Sequence, residues 1–283
     1  MKFAKNILII TLLLTITSCA SRHKLSKTPE QKKAELFYSH GTSKLLQKNY
    51  REALKYLKQA YDINQNDTKI LNNLAMSYYF LDQTKTAFLY LNKSIEIDPQ
   101  NSDALNNLGS LYYKNKEYNK SLDSYKKVLK NLTYQHHYRT HYNMALIYLI
   151  KGDKEKAKEN LLLSNTQNMD YCPASFELGK LYLGEYRYNS ALKWFKEASK
   201  GKCYENPEPT YMQAVTHLQL EDYSEAKAKF QEVIERFSST RYSTLAHLKL
   251  KQLQSEQVME KQASDKYTPI KGKSSNQYDS PSF

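Results

Sequence analysis

The 283-residue chain holds only seven glycines and seven prolines. Tight turns lean on those two residues, so this scarcity excludes an all-β protein with its many chain reversals and points to an all-α class. Long apolar runs are also lacking. The stretch from Ile7 to Ile16 is too short to span a bilayer, and no other segment reads as membrane-spanning. There is no nucleophile elbow, no phosphate-binding glycine loop and no paired-carboxylate motif, so no enzyme activity, small-molecule substrate or cofactor is expected. Cysteine occurs three times. Basic residues do exceed acidic ones, giving a formal charge of +13, but they are spread along the chain and mixed with Glu and Asp, as on solvated helix faces.

What the sequence has is a rhythm. Gly41, Ala75, Gly109, Ala145, Gly179 and Ala214 recur at intervals of 34, 34, 36, 34 and 35. Twelve residues after each lies Ala53, Ala87, Ser121, Ala157, Ala191 and Ala226, and seven further on Ala60, Ser94, Val128, Ser164, Ala198 and Val233. Small side chains let helices approach closely, so three such rows in fixed register mark helix pairs packed on themselves and on the next pair. The pattern resembles the tetratricopeptide repeat. It implies an all-α, right-handed solenoid of six helix pairs, starting near Ala34, Thr68, Ser102, Tyr138, Cys172 and Pro207, with a capping helix at the C-terminus.

Punctuation agrees with this reading, since Asp98-Pro99 ends the second repeat and Gly152-Asp153 breaks the fourth between its helices. Leu71, Leu74, Leu105 and Leu108 are expected in the core, with Tyr78, Tyr112, Tyr148 and Tyr182 as recurring plugs. The segment Arg241 to Gln257, carrying Leu245, Leu248, Leu250 and Leu253, reads as the cap. Residues 258–283 have no periodicity and are expected to be a disordered tail.

Residues 1–18 read as a signal segment, with Lys2 and Lys5 ahead of the apolar run. Ile16-Thr17-Ser18-Cys19 resembles the bacterial lipobox, in which the cysteine is acylated and becomes the mature amino terminus; an ordinary secretory signal is the alternative. At about 0.8 kcal/mol per buried methylene, two or three acyl chains hold a protein stably on a bilayer. Ala20 and Ser21, by resemblance to enteric lipoproteins, favour the outer membrane, with the protein facing the periplasm. Residues 19–33 form a tether whose Arg22, Lys24, Lys27, Lys32 and Lys33 either rest on lipid phosphates or are simply solvated. The solenoid with its cap then occupies 34–257.

An exported protein works in an oxidising space, and Cys172 and Cys203 bracket the antiparallel helix pair of the fifth repeat. Both fall on one side of the layer, so a disulfide is expected, two separate thiols being the alternative. Beside His136, His137 and His141 are four apart and could share a helix face as metal ligands, but no carboxylate completes a set and no metal is expected. Export also disfavours a nucleic-acid partner.

A groove remains. In tetratricopeptide arrays, positions two, five, nine and twelve of each repeat line the concave side. That register assigns Tyr38, Leu45, Met76, Tyr79, Tyr113, Tyr142, Leu146, Leu149, Phe176, Leu183, Tyr211 and Val215 to the groove, along with Asn72, Asn106 and Leu218. So apolar a surface suits an amphipathic helix or an extended apolar strand of a partner.

Asn106-Asn107-Leu108-Gly109, followed by the lengthened interval with Leu132, Tyr134 and Asn143, resembles the PilF/PilW/Tgl family of type IV pilus lipoproteins, the pilotins of the outer-membrane secretin. The pair Cys172 and Cys203 resembles the Tgl branch. The resemblance implies binding of the secretin subunit in the groove and its delivery to, and multimerisation at, the outer membrane. Two other readings stand beside it. Phe230 to Phe237 with Ser238, Ser239 and Tyr242 is similar to the repeat ending of BamD-type barrel-assembly scaffolds, and an adaptor for peptidoglycan enzymes would use the same array.

Overall fold

The computed structural model describes residues 27–266, and these are helical throughout, with no strand among them. The signal segment, Cys19, the tether up to residue 26 and residues 267–283 lie outside the described residues. Chain packing divides the protein into two units, one ending at Asn107 and the other starting at Leu108. The first contains α1 (Pro29–Leu46), α2 (Tyr50–Ile63), α3 (Thr68–Phe80) and α4 (Thr84–Ile97). Helix α5 (Ser102–Lys114) carries the boundary. The second unit continues with α6 (Tyr118–Leu129), α7 (His137–Ile150), α8 (Lys154–Gln167), α9 (Cys172–Gly184), α10 (Tyr188–Ala198), α11 (Pro207–Gln219), α12 (Tyr223–Arg236) and α13 (Arg241–Lys266).

The pairing of these helices comes from one turn used six times. Seven residues after each member of the first small row the backbone turns left-handed, at Lys48, Asp82, Lys116, Gly152, Tyr186 and Glu221, with φ between 58° and 78°. The next residue's amide reaches back five residues, as in Asn49 N to Lys44 O at 2.9 Å, Arg187 N to Tyr182 O at 2.9 Å and Asp222 N to His217 O at 3.0 Å. This is the Schellman bond that closes a helix C-terminus. The same residue is the N-cap of the second helix, and Asn49, Asp153 and Asp222 accept a backbone N–H there with their side chains. One residue thus ends one helix and starts the next, which fixes the antiparallel pair.

All three small rows are buried. Each member of the first row is matched sixteen residues on by a fully buried large side chain: Leu57, Leu91, Tyr125, Leu161, Phe195 and Phe230. Where the large partner is Tyr125 or Phe195, the small residue is glycine, and a β-carbon on Gly109 or Gly179 would sit 2.5 Å from the ring. Serines of the other rows bind carbonyls of the first helix: Ser121 Oγ donates to Gly109 O at 2.7 Å and Ser164 Oγ to Tyr138 O at 2.7 Å.

Three expectations are corrected. The first helix begins at Pro29, inside the segment assigned to the tether, because Thr28 and Gln31 form a reciprocal capping box and Pro29 stands at the first helical position. The last helix runs to Lys266, nine residues past the expected end of the cap, through a stretch whose Glu, Gln, Lys, Met and Ala favour helix. Of the four tyrosine plugs only Tyr78 is buried, stacked 5.5 Å from Tyr90. Tyr112, Tyr148 and Tyr182 are half-buried, and each has a cation over its ring: Lys120 at 5.5 Å and Lys156 at 5.7 Å from the second helix, and Arg187, the N-cap of the second helix, at 4.7 Å.

Candidate functional site

The twelve residues assigned to the groove all lie on the first helices of their pairs, and all are half-buried: none is sealed in the core and none stands free in solvent. Tyr38, Leu45, Met76 and Tyr79 belong to the first unit; Tyr113, Tyr142, Leu146, Leu149, Phe176, Leu183, Tyr211 and Val215 to the second. Leu218 is half-buried as well. Asn72 and Asn106 do not line a groove, for both are buried. The Asn72 amide donates to Asn101 Oδ1 at 3.3 Å, and that oxygen also accepts from Ala104 N at 2.9 Å. The Asn72 amide nitrogen is thus used at a helix end, while its own Oδ1 is buried without a partner.

In the second unit each aromatic ring leans one side on a neighbour. Tyr142 meets Tyr171 edge-on at 5.4 Å, and Tyr171 meets Tyr138 at 4.9 Å. Phe176 rests on Phe195 at 5.7 Å, with Lys180 Nζ 5.7 Å over its ring. Tyr211 rests on Phe230 at 5.5 Å and Tyr242 at 5.4 Å. Burial, with Glu177 nearby, pushes the Tyr142 phenol well above its ordinary pKa. Burial and then the hydrogen-bonded Glu208 push Tyr242 up to about 12. These hydroxyls therefore stay neutral across the physiological range, leaving apolar walls tipped with hydrogen-bonding groups.

Cys172 and Cys203 are disulfide-bonded, their Cα atoms 6.2 Å apart. The bridge ties the chain after α10 back to the start of α9 and forms one wall of a cavity of about 120 Å³, whose other walls include Tyr142, Pro173, Phe176 and Pro209. Arg236 holds the same connection from the far side: its guanidinium lies 3.8 Å from the Tyr204 ring and donates to Tyr204 O at 3.0 Å. In the first unit a wider cavity of about 350 Å³ borders Tyr38, with Lys27, Glu35, Asp67 and Lys69 on its rim.

The histidines have separate structural duties. His137 Nε2 meets Val128 O at 3.3 Å, and His141 Nδ1 meets Asn160 Oδ1 at 3.0 Å. Burial holds His141 below the ordinary histidine pKa, against the raising effect of Asn160.

Sequence reasoning missed Tyr138 and Tyr171, which build the wall beside Tyr142. Tyr138 had a signal in the lengthened interval, where aromatic residues cluster, whereas Tyr171 lies in an interval of ordinary length, and nothing in the repeat register assigns either. It missed the left-handed turns for a different reason, since five of the six carry no glycine.

Stacked helix pairs with half-open rings on their first helices define a helical-repeat binding scaffold. The sequence matches tetratricopeptide-repeat families at residues 34–67, 68–101, 90–123, 138–165 and 211–240, and the chain is a tetratricopeptide-repeat protein. A comparison with curated protein sequences gives no match. Among solved structures, PilF of Pseudomonas aeruginosa is similar with a TM-score of 0.65 at 18% identity, covering 78% of this chain and 100% of its own. PilW, a widely conserved type IV pilus biogenesis factor, gives 0.63 at 16% identity, covering 74% and 96%. The Cut9–Hcn1 hetero-tetramer of the APC/C gives 0.64 at 12% identity, covering 78% of this chain and 43% of its own. At these identities the likeness is one of fold.

Proposed function

We propose that this protein is a lipid-anchored assembly factor of the outer membrane, which binds an apolar segment of the type IV pilus secretin subunit along its first helices and promotes the subunit's localisation and multimerisation. Acylated Cys19 is the anchor in this reading, and the protein acts without catalysis. The observation that carries it is the row of rings and aliphatic side chains in the second unit, half-open and leaning on packed neighbours. Rigid amphipathic rings give large contact area at little cost in side-chain entropy, which is what a site for an apolar helix or strand requires. The resemblance of Asn106 to Gly109 and of the lengthened interval to pilotins directs the reading to a secretin, and the likeness to two pilus biogenesis factors supports the same class of partner.

The test is binding of the purified secretin subunit to the full mature chain. Tyr142→Ala with Phe176→Ala is expected to weaken binding about tenfold to several hundredfold, the range for losing one or two interface anchors, with helicity unchanged. Unchanged affinity would remove the groove assignment. Cys19→Ala is expected to yield a folded protein that no longer fractionates with membrane.

A further inference from the structure

The connections between repeats in the second unit carry apolar tips that the groove does not use. Leu132, between α6 and α7, is 88% exposed; Met169, between α8 and α9, is 80% exposed; Tyr204, between α10 and α11, is 54% exposed. Connections between repeats all lie on the edge where second helices end and first helices begin, and contacts join these three into one ridge. Tyr134 packs on His136 at 5.5 Å, His136 on Tyr138 at 5.8 Å and Tyr138 on Tyr171 at 4.9 Å, which links the first connection to the second. A β-carbon on Gly201 would sit 3.6 Å from Asp170 Oδ1, which links the second to the third. The third connection is tied down by the Cys172–Cys203 bridge and by Arg236 of α12 stacked on Tyr204.

Two apolar side chains standing out from supported loops are poor material for a protein groove, which would have to supply a separate socket for each. They suit a fluid surface that closes around whatever enters it. The polar surroundings fit the same surface. Exposed Lys130, Arg139 and Lys200 flank the tips against exposed Asp170 and Glu205, and Tyr204 presents an apolar ring with a polar end, the side chain that settles at the headgroup level of a bilayer.

We propose that the ridge tipped by Leu132, Met169 and Tyr204 docks on a phospholipid surface, with the two aliphatic tips inserted among the acyl chains and Tyr204 at the headgroups. Three tips alone bind weakly; the proposal rests on the reading of Cys19 as an anchor for its strength. Thr28 lies nine residues after Cys19, a reach of about 30 Å, so an anchored chain holds its folded part at high local concentration over the leaflet. Docking by one edge would leave the first helices of the second unit lying along the membrane rather than pressed against it.

The test holds residues 20–283 by an amino-terminal polyhistidine tag on vesicles of equal parts phosphatidylethanolamine and phosphatidylglycerol, doped with nickel-chelating lipid. The tag replaces the acyl chains and no secretin is present, so the outcome is independent of both readings of the proposed function. An environment-sensitive fluorophore is placed by Leu132→Cys, by Met169→Cys or, as the control, by Glu155→Cys, which is exposed roughly 20 Å along α8 from Met169. Blue-shifted emission, quenched by nitroxide-labelled lipid, is expected at the first two positions and not at the third. Leu132→Ser with Met169→Ser is expected to lower the docked-to-undocked ratio, read from a probe at Tyr204→Cys, about tenfold without changing thermal stability. Probes at 132 and 169 that stay in water, or quenching equal at all three positions, would overturn the proposal.

Discussion

Replacing Gly179 by alanine sets two effects of known sign against each other. Within a helix interior alanine is favoured over glycine by about 0.8–1 kcal/mol, so on propensity alone the protein should gain. The structure makes the opposite forecast. A β-carbon at 179 would lie 2.5 Å from Phe195 Cδ1, 2.6 Å from Cε1 and 3.0 Å from Cγ, all side-chain atoms of a ring that is fully buried and leans on Phe176. Overpacking of this kind costs typically 1–3 kcal/mol, so the net expectation is a loss of up to about 2 kcal/mol. Residue type alone does not set the pairing, since Ala214 faces Phe230 and Gly41 faces Leu57, but Ala75 with Leu91 and Ala145 with Leu161 show that alanine and leucine can share these two positions. Gly179→Ala combined with Phe195→Leu should therefore be less destabilised than the sum of the two single changes, by about 1 kcal/mol or more, well outside the roughly 0.5 kcal/mol within which independent sites add. Urea unfolding followed by circular dichroism measures all four corners of the cycle. A Gly179→Ala protein more stable than its parent, or additive single effects, would refute the packing argument.

Three further outcomes follow from the same coordinates. Tyr186→Gly and Glu221→Gly relieve left-handed backbone at residues with a β-carbon and should each raise stability by about 0.5–1 kcal/mol, while Gly152→Ala should lower it, as thermal melts will register. Reducing the Cys172–Cys203 bridge, which spans 31 residues, should lower stability by about 3–4 kcal/mol in the chain-entropy view, and urea unfolding with and without reductant measures it. Because burial holds the His141 pKa below its ordinary value, the unfolded chain takes up the proton first. Stability contributed by the neutral imidazole is present above the unfolded pKa near 6.5 and is lost as pH falls below it, so His141→Gln should flatten that limb of the pH–stability curve.

How far the sequence reveals this structure depends on whether a feature is written in side-chain size or in backbone geometry. The three small rows are legible because close helix approach tolerates few residue types, and all their members are buried. The six left-handed turns recur just as strictly, yet Lys48, Asp82, Lys116, Tyr186 and Glu221 conceal them, because the bond that holds the turn is made by the following amide and asks nothing of the side chain. Tyr112, Tyr148 and Tyr182 were misread as core since apolar spacing places them correctly on the helix but says nothing of the cation that arrives from the next one. Asn72 and Asn106 differ for the converse reason: a polar type at an inward position looks like a site, yet both are buried.

The small rows and the groove are two faces of one packing decision. In the fifth repeat Gly179 makes room for a ring at Phe195, and Phe176 on the groove side leans on that same ring at 5.7 Å. In the sixth repeat Ala214 shares its buried cluster with Phe230, and Tyr211 leans on Phe230 at 5.5 Å. Where the buried partner is a leucine, as in the fourth repeat, it offers no flat face, and Tyr142 finds its support instead in Tyr171 from the connection between repeats. Tyr142, Phe176 and Tyr211 are therefore each backed by another ring, which sets their orientation before any partner arrives. A preset ring loses little freedom on binding, so a larger share of its buried area survives as affinity. The backing side chains belong to the core, so in the proposed groove Phe195 and Phe230 would act as positioning residues as well as contributors to stability. Lengthening the interval between Gly109 and Ala145 acts through the same principle, for it brings Tyr134, His136 and Tyr138 into the aromatic chain that ends at Tyr171 and so supports Tyr142 where the core cannot.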